Sequence, residues 1–187
     1  MGCAGGGFEA VFVAGGGDER RVPWDRLPGL VEKLGRPARS FSWQRGRGSY
    51  PGWYWSATLG RQVGFESWVE RDHLVALDFD ASVVDIVSQP FWLLWTPEQG
   101  KPRRHAPDFL VRSADGAVLV LDSRPLELIE DRDREAFDMT GRACGELGWR
   151  YAVWDLDDRV IFAGTCHTVV AFSGTTLRLL PRSSVRT

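Results

Sequence analysis

Apolar and polar positions alternate along this chain in stretches that predict its elements. "FEAVFV", residues 8–13, is β-branched and aromatic and predicts a short strand before the turn "AGGGDE". In "FESWVERDHLVALDFD", 65–80, Phe65, Trp68, Val69, Val75 and Ala76 recur at helical spacings, which predicts an amphipathic helix. Turn formers in "DFDAS" then break it. "VVDIVSQPFWLLW", 83–95, predicts a strand kinked at Pro90, where the ladder loses a donor. "PDFLVR" and "AVLVLDS" flank Asp115-Gly116, the sequence signal of a hairpin. From Glu130 to Leu147 a second helix places Phe137, Thr140, Ala143, Cys144 and Leu147 on one stripe, and Gly148 stands where its C-terminal cap belongs. "WRYAVW", 149–154, and "RVIFAG", 159–164, read as strands. Helix, strand, hairpin, helix, strand describes an α/β domain with a mixed central sheet flanked by helices.

Length and composition agree with one domain. The 187 residues are enough for a sizeable core, and 43% of them are hydrophobic. A net charge of -2 excludes a histone-like, charge-driven nucleic-acid binder but leaves room for a local basic face. No apolar run is long enough to predict a spanning helix, and "MGCAGGG" reads as a flexible tail, with neither a signal peptide nor a complete myristoylation pattern. Cys3, Cys144 and Cys166 are widely spaced, which fits reduced thiols in a cytoplasmic protein. The expected division is an N-terminal arm, 1–60, and a core, 61–187. Within the arm, residues 36–62 interleave arginines, Arg45 and Arg47 among them, with tryptophan and tyrosine, a pattern that can grip a nucleic-acid backbone or simply pack.

The candidate chemistry lies on the hairpin. Asp108 begins one strand and Asp122 ends the other, seven residues before and after Asp115, so the two face each other. Two carboxylates that close repel unless a cation sits between them. Mg²⁺, or Mn²⁺ in its place, suits such oxygen ligands and would activate water against a phosphate. Arg103, Arg104 and His105 form a basic step beside Asp108, placed to meet a phosphate backbone, and Gln89 ends the preceding strand. His73 and His105 have no second His or Cys at zinc spacing and are read as non-ligands.

Pro107-Asp108 followed by Asp122-Ser123-Arg124 resembles the PD-(D/E)xK nuclease superfamily, which implies a single restriction-endonuclease-like domain. "SWVERDHLVALDFDASVVDIVSQPF", "HAPDFLV" and "LDSRP" together resemble, over residues 60–155, the TnsA-type endonuclease subunit of heteromeric transposases. The resemblance implies Glu70, Asp108 and Asp122 as catalytic, metal-site acids, with Glu66 in reserve, and places Arg124 where the family has lysine. It implies a Mg²⁺-dependent endonuclease that cuts double-stranded DNA at transposon ends beside a DDE-type transposase subunit. Arginine stays protonated and cannot be a base, but it can hold a phosphate oxygen. Only two of the chain's 23 basic residues, Lys33 and Lys101, are lysines. The alternatives are a restriction or defence nuclease working without a transposase, and a silent nuclease fold that binds DNA or a partner. For Glu70 the competing role is a capping box with Ser67, although the stripe from Phe65 puts Ser67 inside the helix. The sequence assigns no oligomeric state.

Overall fold

A computed structural model of the chain describes residues 7–39, 50–98 and 100–155. Arg45, Arg47 and the "RVIFAG" stretch lie outside the described residues, as do Cys3 and Cys166. Two larger sheets share the core. In the first, β1 (Glu9–Ala14) is flanked by β2 (Glu19–Pro23) and β3 (Leu34–Arg36). Ten residues of 3-10 turns, Trp24–Lys33, connect those two strands. β4 (Gly52–Ser56) and β5 (Arg61–Phe65) form a separate hairpin, followed by α1 (Trp68–Phe79).

The stretch 83–95 is not one kinked strand. It is two strands in two sheets, β6 (Val83–Ser88) and β7 (Trp92–Trp95). Pro90 cannot donate to a ladder, and Gln89 before it takes φ 44°, so the chain turns out of one sheet and into the other. β7 pairs with β1 and with β8 (Arg103–His105), so strands from either side of residue 60 share the first sheet.

The second sheet is the mixed one. β9 (Phe109–Ser113) and β10 (Val118–Ser123) make the hairpin at Asp115-Gly116, with Gly116 at φ 84°. β6 pairs antiparallel with β9. After β10, α2 (Asp131–Glu146) carries the chain over to β11 (Arg150–Trp154), which lies parallel to β10. Glu130 caps α2 in a capping box with Asp133. Gly148, at φ 70°, ends it in a Schellman motif, with Trp149 N–H donating to the Cys144 carbonyl at 2.9 Å.

Both faces of this sheet are buried, which is why its strands are apolar almost throughout. Leu110, Val120, Tyr151 and Val153 face α2 and the first sheet, where Phe12, Trp24, Leu93 and Phe137 complete the packing. Leu121, Phe109, Val111 and Ala152 face α1 and the β4–β5 hairpin through Leu74, Leu77 and Val63. The predicted stripe on α2 holds: Phe137, Thr140, Ala143 and Cys144 are buried.

The stripe on α1 does not. Its inward face carries Glu70, His73, Leu74 and Leu77, whereas Trp68 is exposed, with the Arg71 guanidinium 4.4 Å over its ring. Phe65 belongs to β5, and Ser67 is the N-cap. Apolar periodicity misassigned this helix because two of its buried residues are polar groups with hydrogen-bond partners, Glu70 at the helix cap and His73 on β10.

Asp78 fixes the β4–β5 hairpin to α1. Its carboxylate accepts from Tyr54 Oη at 2.9 Å, from Ser56 Oγ, and from the N–H groups of Ala57 and Thr58 at 2.9 and 3.0 Å. Desolvation alone would raise its pKa, but these donors hold it well below the ordinary carboxylate value. Asp78→Ala is expected to cost about 2 kcal/mol, because several donors lose their acceptor together. Thermal denaturation should show a fall of several degrees, and an unchanged melting temperature would mean that the hairpin adds nothing. With a depressed folded pKa, the stabilisation is present above about pH 4 and is lost as pH falls further.

Candidate active site

Register brings the predicted residues to one end of the second sheet. Leu121 pairs with Phe109 and Ser88 pairs with Phe109 on its other side. One step further along, Asp122 and Gln89 flank Asp108 in a row across β10, β9 and β6. The backbone closes this end: Gln89 N–H donates to the Asp108 carbonyl at 2.7 Å, and Ser123 N–H donates to Asp108 Oδ2 at 2.7 Å. Glu70 enters from α1 on one face of the sheet and Asp122 points to the other.

Asp108, half-buried, is the electrostatic centre. Its pKa is raised well above the ordinary value by desolvation, then by the negative charges of Glu70 and Asp122. The Ser123 N–H and the Arg124 guanidinium oppose the rise without cancelling it. Arg124 is exposed, and its N–H donates to the Trp154 carbonyl at 2.8 Å, so the backbone is anchored while the side chain reaches outward.

Glu70 takes part in the N-terminal cap of α1 and lies beside Asp108. Ser67 Oγ accepts from the Glu70 N–H at 3.2 Å and donates to Oε1 at 3.0 Å, while Oε2 takes the Glu66 N–H at 2.8 Å. Ser67 therefore caps the helix rather than lying within it. The Glu70 carboxyl is nevertheless buried beside Asp108. Desolvation raises its pKa to about 7, against the hydrogen bonds from Glu66 and Ser67 that lower it. Glu66, the reserve candidate, forms an ion pair with Arg39.

A folded pKa above the unfolded one means that the folded state binds more protons between about pH 4.5 and 7, so stability falls as pH rises through that window. Without a bound cation, Glu70 is expected to contribute a decline of roughly 3 kcal/mol at most. Glu70→Gln keeps the capping hydrogen bonds and should flatten the profile. Chemical denaturation across this pH range checks it, and an equally steep decline in the variant would assign the effect elsewhere.

Asp122 is only 3% exposed and is held by two donors that the sequence did not reveal as its partners. Tyr151 Oη donates to Oδ2 at 2.6 Å, and His105 Nε2 lies 2.9 and 3.1 Å from Oδ2 and Oδ1. A carboxylate only accepts, so the His105 Nε2 carries a hydrogen. Burial, then the Asp122 charge, pushes the Tyr151 phenol well above its usual value, which keeps it a donor. The same burial, with the same charge behind it, raises the Cys144 thiol to about 12. His105 thus turns inward to Asp122 and stacks edge-on to Phe137 instead of completing an outward basic step. Arg103 and Arg104 do face outward: Arg103 reaches Glu135 at 3.5 Å, and the Arg104 guanidinium lies 4.4 Å over the Trp92 ring.

His73, the other histidine excluded as a ligand, is buried, with Nδ1 2.8 Å from Ser123 Oγ and Nε2 3.2 Å from the Asp155 carbonyl. Gln89 is fully buried in a left-handed conformation, and neither polar atom of its amide has a partner among the described residues. An orphaned amide and a strained φ beside a carboxylate pair are the kind of defects that functional sites retain.

The donors fit a hard divalent cation in type and in charge: three carboxyls, two of them raising the pKa of the third. They are not drawn into a ready cage, since no group of three His, Cys, Asp or Glu side chains among the described residues is gathered closely enough to hold a metal. No helix among the described residues is long and apolar enough to cross a membrane. No protein-family model matches the chain, and no curated protein matches it.

Proposed function

We propose that the protein is a metal-dependent DNA endonuclease of restriction-endonuclease-like fold. The observation that carries this is the meeting of Glu70, Asp108 and Asp122 at one sheet end with Arg124 beside them. A helix ahead of an antiparallel three-stranded unit, then a crossover helix into a parallel strand, supports the fold assignment. Asp108, with Asp122 and Glu70 beside it, would hold Mg²⁺ or Mn²⁺. The ion would supply a Lewis acid for the phosphate and a water of lowered pKa. Ser123 N–H fixes the Asp108 carboxyl, and His105 and Tyr151 fix that of Asp122. Arg124 donates to a non-bridging phosphate oxygen in the transition state. The ordered blocks around these residues support a TnsA-like role at transposon ends with a DDE-type transposase subunit.

Asp122 favours a second reading. Its carboxylate oxygens are already occupied by hydrogen bonds from His105 and Tyr151, as suits a silent nuclease fold that binds DNA or a partner. Purified protein incubated with supercoiled plasmid in Mn²⁺ separates the two. Nicking that EDTA abolishes is expected. Absence of nicking, alone and with an added DDE-type transposase subunit, would favour the silent fold.

A further inference from the structure

A cleft of about 420 Å³ opens between the 35–39 segment, the β4–β5 hairpin and the end of β6. That is the size of a site for a nucleotide-sized ligand. Arg36, Arg39 and Arg61 line it, Arg39 paired with Glu66 and Arg61 with Asp85 behind the wall, and no acidic side chain lines it among the described residues. Trp53, also in its wall, keeps 52% of its surface exposed on the same hairpin face as Trp55, which is 62% exposed. An arginine-lined wall beside an exposed indole suits an anionic ligand with acceptor oxygens.

The cleft and the carboxylates are contiguous. Ser88 is followed by Gln89, whose N–H bonds to the Asp108 carbonyl. Arg39 pairs with Glu66 and its charge reaches Glu70. We propose that this cleft binds an unpaired stretch of a DNA strand, with phosphates on the arginines and a base stacked on Trp53, and leads it to Asp108. Arginine beside an exposed aromatic ring suits single strands, whose bases are free to stack. The inference rests on the nuclease reading for its direction toward Asp108, but the binding does not depend on cleavage.

The test is therefore made in EDTA with Asp108→Ala as background, following the fluorescence anisotropy of a short labelled oligodeoxynucleotide. Trp53→Ala is expected to weaken binding about tenfold, with Trp53→Phe close to the parent. Arg36→Ala should lower the slope of log affinity against log salt by about 0.7. Both residues are exposed, so the variants should fold, and circular dichroism confirms it. Unchanged single-strand affinity in both variants overturns the proposal. So does a duplex of the same sequence binding as tightly with no effect of Trp53→Ala, or a polyglutamate of equal charge competing as well as the oligonucleotide.

Discussion

Asp108→Ala is expected to reduce plasmid nicking about a thousandfold or more, while Asp108→Asn melts higher than the wild type. The two outcomes have one cause. Asp108 is held between Glu70 and Asp122, where desolvation and like charge both oppose its ionisation. The proposed catalysis would need that carboxylate, because it is the metal ligand that the other two acids flank. Stability without a bound cation does not need it. Asparagine keeps an acceptor for the Ser123 N–H, which alanine would leave unpaired, and it removes the charge. A gain of about 1 kcal/mol, or roughly 2–4 °C, is the expected scale. Calorimetry near neutral pH measures one arm and plasmid nicking in Mn²⁺ the other. A variant that melts lower and still cuts would make Asp108 a structural residue and remove the centre of the proposed site.

Arg124→Ala should lower nicking by about a hundredfold to a thousandfold, the cost of losing one preorganised donor to developing phosphate charge. Its melting temperature should hardly move: the side chain is exposed, and the bond to Trp154 is made by the backbone. Arg124→Lys should stay within about tenfold of the wild type, since an ammonium also donates to phosphate but gives up the planar fork. Single-turnover rates on a nicked-product assay distinguish these values. Activity found only in Arg124→Lys would mean that arginine silences an otherwise intact site, and the second reading would stand.

Much of the site was legible in the sequence because hairpin register is local. Asp115-Gly116 sets the turn, and counting outward from it places Asp108 opposite Asp122 without knowledge of any other strand. α2 was legible as well, since its buried face is apolar and its capping glycine stands in the sequence. α1 was not. Hydrophobic periodicity selects Trp68 and Val69, but Glu70 is buried with its partners at the helix cap and His73 with partners across the fold, and polar burial of that kind leaves no apolar stripe.

The sequence by itself determined the α/β order, the hairpin register and the pairing of Asp108 with Asp122. Each depends on residues close together along the chain or on a turn that fixes their alignment. Only the tertiary structure decided that 83–95 divides between two sheets and that His105 and Tyr151 hold Asp122. It also decided that Arg36, Arg39 and Arg61 share one cleft with Trp53. Those facts depend on segments tens of residues apart, brought together by the burial of both sheet faces. Nothing local in a chain records which distant polar group will complete a buried carboxylate.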